Sequence, residues 1–189
     1  MPKNNLKQPG AFKRPERAFR NGSSEHKSLE VFDDKGKLLM LMPQENILKQ
    51  KLRCRMVLVA IKDRDERVLL CKYTEQHSTY PKLWDISASG YLLPGESFLD
   101  AALRAVTLRF MHSEKDFSPA MHIQPSPENN NRELALFRNR PGFYYPQIRS
   151  EGEVHQTMFV DEEELTALLR EMPEFISPDL RLAVEYIFR

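Results

Sequence analysis

Cysteine is scarce in this chain of 189 residues: there are two, Cys54 and Cys71. Both lie in apolar, strand-like runs and lack metal-ligand spacing. A disulfide framework and a thiolate metal centre are therefore set aside, and reduced, buried thiols are expected. Long apolar runs are missing as well. None approaches the roughly 18 residues that a membrane-spanning helix needs, so no membrane association is expected. The N-terminus is polar and charged throughout and shows no secretory signal, which leads to the expectation of a cytoplasmic protein. No internal repeat is evident. A large net charge is absent too, the formal total being +1.

That small total hides an asymmetry. Residues 1–28 hold seven Lys or Arg against Glu16 and Glu25, an excess of +5 that leaves −4 for the remainder. We read them as a basic N-terminal extension, followed by one domain over 29–189. The extension carries Ala11-Phe-Lys-Arg14 and Ala18-Phe-Arg20, with aromatics beside basic residues. Three uses fit this pattern: a solubilising extension, docking on its own domain or on a second copy through Phe12 and Phe19, and contact with an acidic protein partner. Nucleic acid is not an expected partner, because so short a segment makes few phosphate contacts.

Hydrophobic residues make up 41% of the chain, enough for one sizeable core. Residues 29–33 and 37–42 read as a hairpin around Asp33-Asp34-Lys35-Gly36, and 45–50 as a short helical link. Strands are expected over 53–61, 68–73, 85–92, 133–139 and 155–160. The Pro and Asn content of 113–132 predicts a long surface loop. Helices are expected over 161–170, with an acidic first turn that suits the helix dipole, and over 178–188. Strands and helices interleaved in this order predict an α/β (α+β) fold with a mixed sheet flanked by helices.

The stretch Gly90-Tyr-Leu-Leu-Pro-Gly-Glu96, followed by Arg104, carries the most chemistry. Pro94-Gly95 is a turn pair, and Ser97 is an N-cap with Asp100 three residues on. Phe98, Ala101, Ala102, Ala105, Leu108 and Met111 fall near helical spacing, so 98 to about 111 reads as an amphipathic helix. Residues 105, 108 and 109 share one face of that helix. Three carboxylates there would hold a hard cation, but the residues are Ala105, Leu108 and Arg109.

This stretch resembles the Nudix box, whose pattern is Gly, five residues, Glu, seven residues, then Arg-Glu-aliphatic-x-Glu-Glu-x-Gly. Here Gly90, Glu96 and Arg104 match, while Ala105, Leu108 and Arg109 stand where the family has carboxylates. The resemblance implies a Nudix-type α/β/α sandwich and the cleavage of nucleoside diphosphates linked to another group. It assigns Gly90, Gly95, Glu96 and Arg104 to the structural box, with Glu96 and Arg104 pairing. It also implies Mg²⁺ or Mn²⁺ if the chain is active, with Glu96 the one box carboxylate left to touch it. No metal is expected otherwise.

Upstream, Leu29–Gly36, Arg67–Leu70, Thr79–Asp85 and Ser87–Gly90 resemble the isopentenyl diphosphate isomerase-like branch. The isomerases use a Cys in the segment matching Ser87–Gly90, and a His where Cys54 stands; the adjacent Arg55 matches. Basic residues expected near 73 and 77 are Tyr73 and His77. Isomerase activity is therefore not expected.

Other residues invite a role. Glu151, Glu153 and His155 cluster before a strand, where some Nudix enzymes take a general base; Glu153 is the catalytic candidate beside Glu96. Glu114 and Asp116 are alternative metal ligands. Arg138 and Arg140 with Tyr144 and Tyr145 offer a phosphate clamp and a stacking surface. Arg55, Lys72 and Arg109 are candidate ligand-binding cations. Two functions fit. One is a binding protein for a phosphorylated, nucleotide-like ligand or a protein partner; the other is a divergent Mg²⁺-dependent hydrolase.

Overall fold

In the computed structural model of the chain, residues 28–110, 117–139 and 153–189 are described. The expected basic extension therefore lies outside the described residues, except for Ser28. Strands β1 (Ser28–Phe32) and β2 (Leu38–Pro43) form an antiparallel hairpin. Helix α1 (Gln44–Gln50) leads to β3 (Cys54–Ala60) and β4 (Val68–Tyr73). Then come β5 (Trp84–Ile86), β6 (Ala88–Tyr91) and helix α2 (Phe98–Arg109). Strands β7 (Phe117–Ile123), β8 (Arg132–Asn139) and β9 (Val154–Val160) precede α3 (Glu162–Glu171) and α4 (Pro178–Ile187). One sheet has the order β6-β3-β8-β7 and a second has β5-β4-β9. The first is mixed, because β3 and β8 run parallel while the other pairs are antiparallel.

Alternation along β3 organises the layers. Met56, Leu58 and Ala60 join a core with Leu165 of α3 and with Leu180, Ala183 and Ile187 of α4. Val57, Val59 and Ile61 join a second core with Ala101, Ala102, Ala105 and Val106 of α2. A strand buried on both faces reads as a continuous apolar run, which is how Met56–Ile61 reads. The helices begin where their caps predict. Ser97 Oγ accepts from the Asp100 amide at the start of α2, and Asp161 and Glu164 form a reciprocal capping box at α3.

Two expectations are corrected. The stretch 113–132 is not one long loop: Phe117–Ile123 is a strand. It tolerates Pro119 because it lies at the edge of its sheet, and the register shifts between Pro119 and Met121. The single strand expected over 85–92 is two, in different sheets, divided at Ser87. The buried Ser87 hydroxyl accepts from the Ile61 amide at 2.8 Å and donates to the Leu69 carbonyl at 2.6 Å. It thus joins the end of β3 to β4 where the chain changes sheet.

The hairpin presents an unusual edge. Leu38, Leu39, Met40 and Leu41 are each about half exposed, on both faces of β2.

Both cysteines are buried and free. Burial pushes the Cys54 thiol up to about 11 and the Cys71 thiol up to about 12. In the folded protein, neither should react with a thiol reagent at pH 8 within the time that urea-unfolded chain is fully labelled. Ser87→Ala strands the Ile61 amide and the Leu69 carbonyl, and should lower stability by about 1–3 kcal/mol in urea titrations. An unchanged midpoint would deny Ser87 its joining role.

Candidate functional site

The loop ahead of α2 is held by one carboxylate and one guanidinium. Glu96 Oε1 accepts from Arg104 Nε at 2.7 Å, and Oε2 accepts from Arg104 Nη2 at 2.8 Å and from the Leu93 amide at 2.9 Å. Arg104 Nη2 also donates to the Tyr91 carbonyl at 2.7 Å. The pairing expected of Glu96 and Arg104 is thus a two-pronged bridge, and it ties β6, the turn and the helix together. Gly95 has φ of +75°, the left-handed value its turn demands. Its amide donates to Glu30 of β1 at 3.1 Å. Gly90 is different: it sits in β6 outside the left-handed region. A Cβ there would meet Ala105 Cβ at 3.7 Å, an ordinary contact.

Beside this bridge lies a cavity of about 460 Å³. It is lined by Ser89, Gly90, Arg104, Ala105, Leu108 and Arg109, and by Tyr73, His77, Glu153 and Val154. Met56, Tyr80, Tyr91 and Asp179 line a further part. The helix face at 105, 108 and 109 therefore does look into a cavity.

Arg109 is built in by an aromatic and a carbonyl. Its Nη1 and Nη2 donate to the Tyr73 hydroxyl at 3.1 and 3.2 Å, and its Cζ stands 4.9 Å from the Tyr73 ring centroid. Nη1 also reaches the Ser87 carbonyl at 3.5 Å. Burial opposes the charged guanidinium, yet Tyr73, Cys71 and Asp85 nearby hold its pKa above the usual value, so it stays cationic. Among the described residues it forms no ion pair. The Tyr73 hydroxyl donates to Asp85 Oδ2 at 2.8 Å, and Asp85 Oδ1 accepts from Ser177 Oγ at 2.5 Å. Burial, then the nearby Asp179, raises the Asp85 pKa. Burial likewise raises that of Tyr73, which stays a neutral phenol.

His77 stacks on Tyr73, with ring centroids 3.6 Å apart. Its Nδ1 accepts from the Tyr80 amide at 3.0 Å, so the neutral ring carries its proton on Nε2, 3.3 Å from Glu153. Deeper in, Arg132 donates to Asp179 Oδ1 at 2.6 Å, and both side chains are buried. Asp179 Oδ2 has no hydrogen-bond partner among the described residues.

The remaining sequence candidates fall elsewhere. Arg55 pairs with Glu133 at 2.9 Å and lies over the Phe32 ring, away from the cavity lining. Lys72 stands 5.7 Å from the Trp84 ring, also off the cavity. His155 is an exposed residue of β9. Arg138 donates to the carbonyls of Ile187 and Arg189 rather than forming part of a clamp. Glu114, Asp116, Arg140, Tyr144, Tyr145 and Glu151 lie outside the described residues. Of the candidates, Gly90, Arg104, Arg109 and Glu153 line the cavity, while Glu96 is joined to it only through Arg104 and Leu93. Sequence reading missed Tyr73, His77, Asp85 and Asp179 as members. Tyr73 and His77 had drawn notice only as departures from expected basic residues.

A hard cation finds a poor donor set here. Ala105 and Leu108 offer no oxygen, Arg109 is itself a cation, and both Glu96 oxygens are occupied. No group of three or more His, Cys, Asp or Glu among the described residues is placed to hold a metal.

Arg104→Ala leaves a partly buried Glu96 without its counter-charge. It should cost about 1–3 kcal/mol, read as a lowered melting temperature. No change in melting temperature would show that the bridge contributes nothing to the fold.

No protein-family model matches the sequence, and no curated protein is similar to it at a significant level. Solved structures do match in shape. DR0079 from Deinococcus radiodurans superposes with a TM-score of 0.74 at 16% identity, covering 86% of this chain and 99% of that one. The MutT protein from Methanosarcina mazei Go1 gives 0.55 at 17% identity, covering 71% and 92%. The NUDIX domain of Shewanella oneidensis NrtR, solved with ADP ribose, gives 0.54 at 14% identity, covering 77% and 96%. With its mixed sheet between helices, the chain has the fold of the Nudix/MutT proteins.

Proposed function

We propose that this protein binds a phosphorylated, nucleotide-like small molecule in the cavity beside the Glu96–Arg104 bridge, and that it turns such molecules over slowly or not at all. One observation carries this reading: Arg109, a cation without an ion pair among the described residues, lines the cavity where the box resemblance places a metal-binding carboxylate. A buried guanidinium attracts anions, phosphate above all. The ADP ribose in the NrtR domain gives a first probe of matching chemistry.

The isopentenyl diphosphate isomerase-like branch remains a resemblance of sequence. Its Cys falls in the Ser87–Gly90 segment, where the Ser87 hydroxyl is committed to Ile61 and Leu69. That commitment argues against isomerase chemistry.

The second reading, a divergent hydrolase, rests on Glu153. This carboxylate lines the cavity, and His77 stands beside it with the Nε2 proton directed for donation. A carboxylate so oriented is chemically suited to general-base work. Metal ligands for such an enzyme would have to come from Glu114, Asp116 or Glu151, outside the described residues.

Calorimetry with ADP-ribose, alongside product assays in Mg²⁺ or Mn²⁺ over nucleoside diphosphate sugars, dinucleotides and nucleoside triphosphates, separates the two. Binding with turnover far below about 1 s⁻¹ is expected. Faster turnover that is lost in Glu153→Gln would establish the hydrolase instead.

A further inference from the structure

We propose that the cavity holds its ligand by a single phosphate group, without a metal ion, on the two N–H groups of Arg109 that have no hydrogen-bond partner among the described residues. This rests on the ligand-binding reading above and narrows it. A guanidinium has five N–H groups. Nη1 and Nη2 each turn one toward the Tyr73 hydroxyl, which therefore sits at the Nη1/Nη2 edge. The second N–H of Nη1 is directed at the Ser87 carbonyl. What remains is Nε–H and the outer N–H of Nη2, which lie side by side. That edge is a fork matched to two oxygens of a phosphate. Tyr73 fixes the ring plane of the fork from one direction, and His77 stacks on Tyr73.

Charge narrows the ligand further. Arg104 faces the same cavity, but Glu96 neutralises it. His77 accepts from the Tyr80 amide through Nδ1 and directs Nε2 at Glu153. Arg109 is then the one cation in the described lining without an ion pair, and Glu153 adds a negative charge. A diphosphate brings two or three negative charges, which Nudix-type chemistry offsets with divalent metal. Among the described residues the donor set for that metal is lacking. A phosphomonoester or phosphodiester matches one guanidinium. Mg²⁺ in solution would compete with Arg109 for the phosphate rather than bridge it to the protein.

The test is calorimetric titration of the full chain with AMP, ADP, ADP-ribose and inorganic phosphate, each in EDTA and in excess Mg²⁺. AMP should bind in EDTA at least as tightly as ADP, and Mg²⁺ should leave its affinity unchanged or lower it. Inorganic phosphate separates the anion site from the rest of the ligand: if it displaces AMP, the two share the fork. Arg109→Lys keeps a charge but loses the fork. It should weaken AMP by about tenfold or more, the factor for one charged hydrogen bond. Should that variant fail to fold, the AMP and ADP titrations of the parent decide alone. ADP binding tightly only with Mg²⁺, or unchanged AMP affinity in a folded Arg109→Lys protein, would overturn the proposal and leave the ligand-binding reading standing. If none of the four probes binds at millimolar concentration, both fall.

Discussion

The bridge between Glu96 and Arg104 is the contact on which the site depends. The turn at Pro94 and Gly95 is closed by the Glu96 amide donating to the Leu93 carbonyl at 3.0 Å, but that bond alone does not fix the angle at which α2 starts after it. Glu96 supplies that constraint by accepting from Arg104 twice and from Leu93 once, while Arg104 also holds the Tyr91 carbonyl. With β6, the turn and α2 fixed to one another, residues 105, 108 and 109 face the cavity. The bridge occupies the very carboxylate that would otherwise be free for a metal. Both Glu96 oxygens are committed to this bracing.

The fold was largely legible because its signals are local. The cap at Ser97, the acidic first turn of α3, and the apolar run of β3 each declare an element within a few residues. What failed was non-local. Pro119 reads as loop until an edge position is known to excuse it, and the break at Ser87 is visible only once Ile61 and Leu69 are seen to need its hydroxyl. The site divides in the same way. Glu96, Arg104 and Arg109 lie within one motif and were named from it. Tyr73 meets Arg109 across 36 residues, and Arg132 meets Asp179 across 47, pairings that no spacing announces. Arg55 and Lys72 illustrate the converse: a cation on a strand says nothing of which face it takes, and both lie off the cavity.

Arg109 makes the cavity-facing side of α2 cationic, and its surroundings accept that charge. An unpaired guanidinium against apolar neighbours is costly to bury. Tyr73 lowers that cost by offering both its ring and its oxygen, and it hands the polarisation on to Asp85. Asp85 is in turn satisfied from Ser177. The cation is thus compensated through a relay of neutral donors rather than by direct contact with a carboxylate, which keeps one edge of it open.

That relay has a mechanical reach beyond the cavity. Ser177 is also the cap of α4, its Oγ accepting the Leu180 amide at 3.0 Å while donating to Asp85. Through Ser177, Asp85 and Tyr73, the Leu180 amide is linked to a guanidinium 71 residues earlier in the chain. The first turn of α4, whose Asp179 lines the cavity, and the guanidinium on α2 thus share one hydrogen-bonded network, so loosening either end loosens the other.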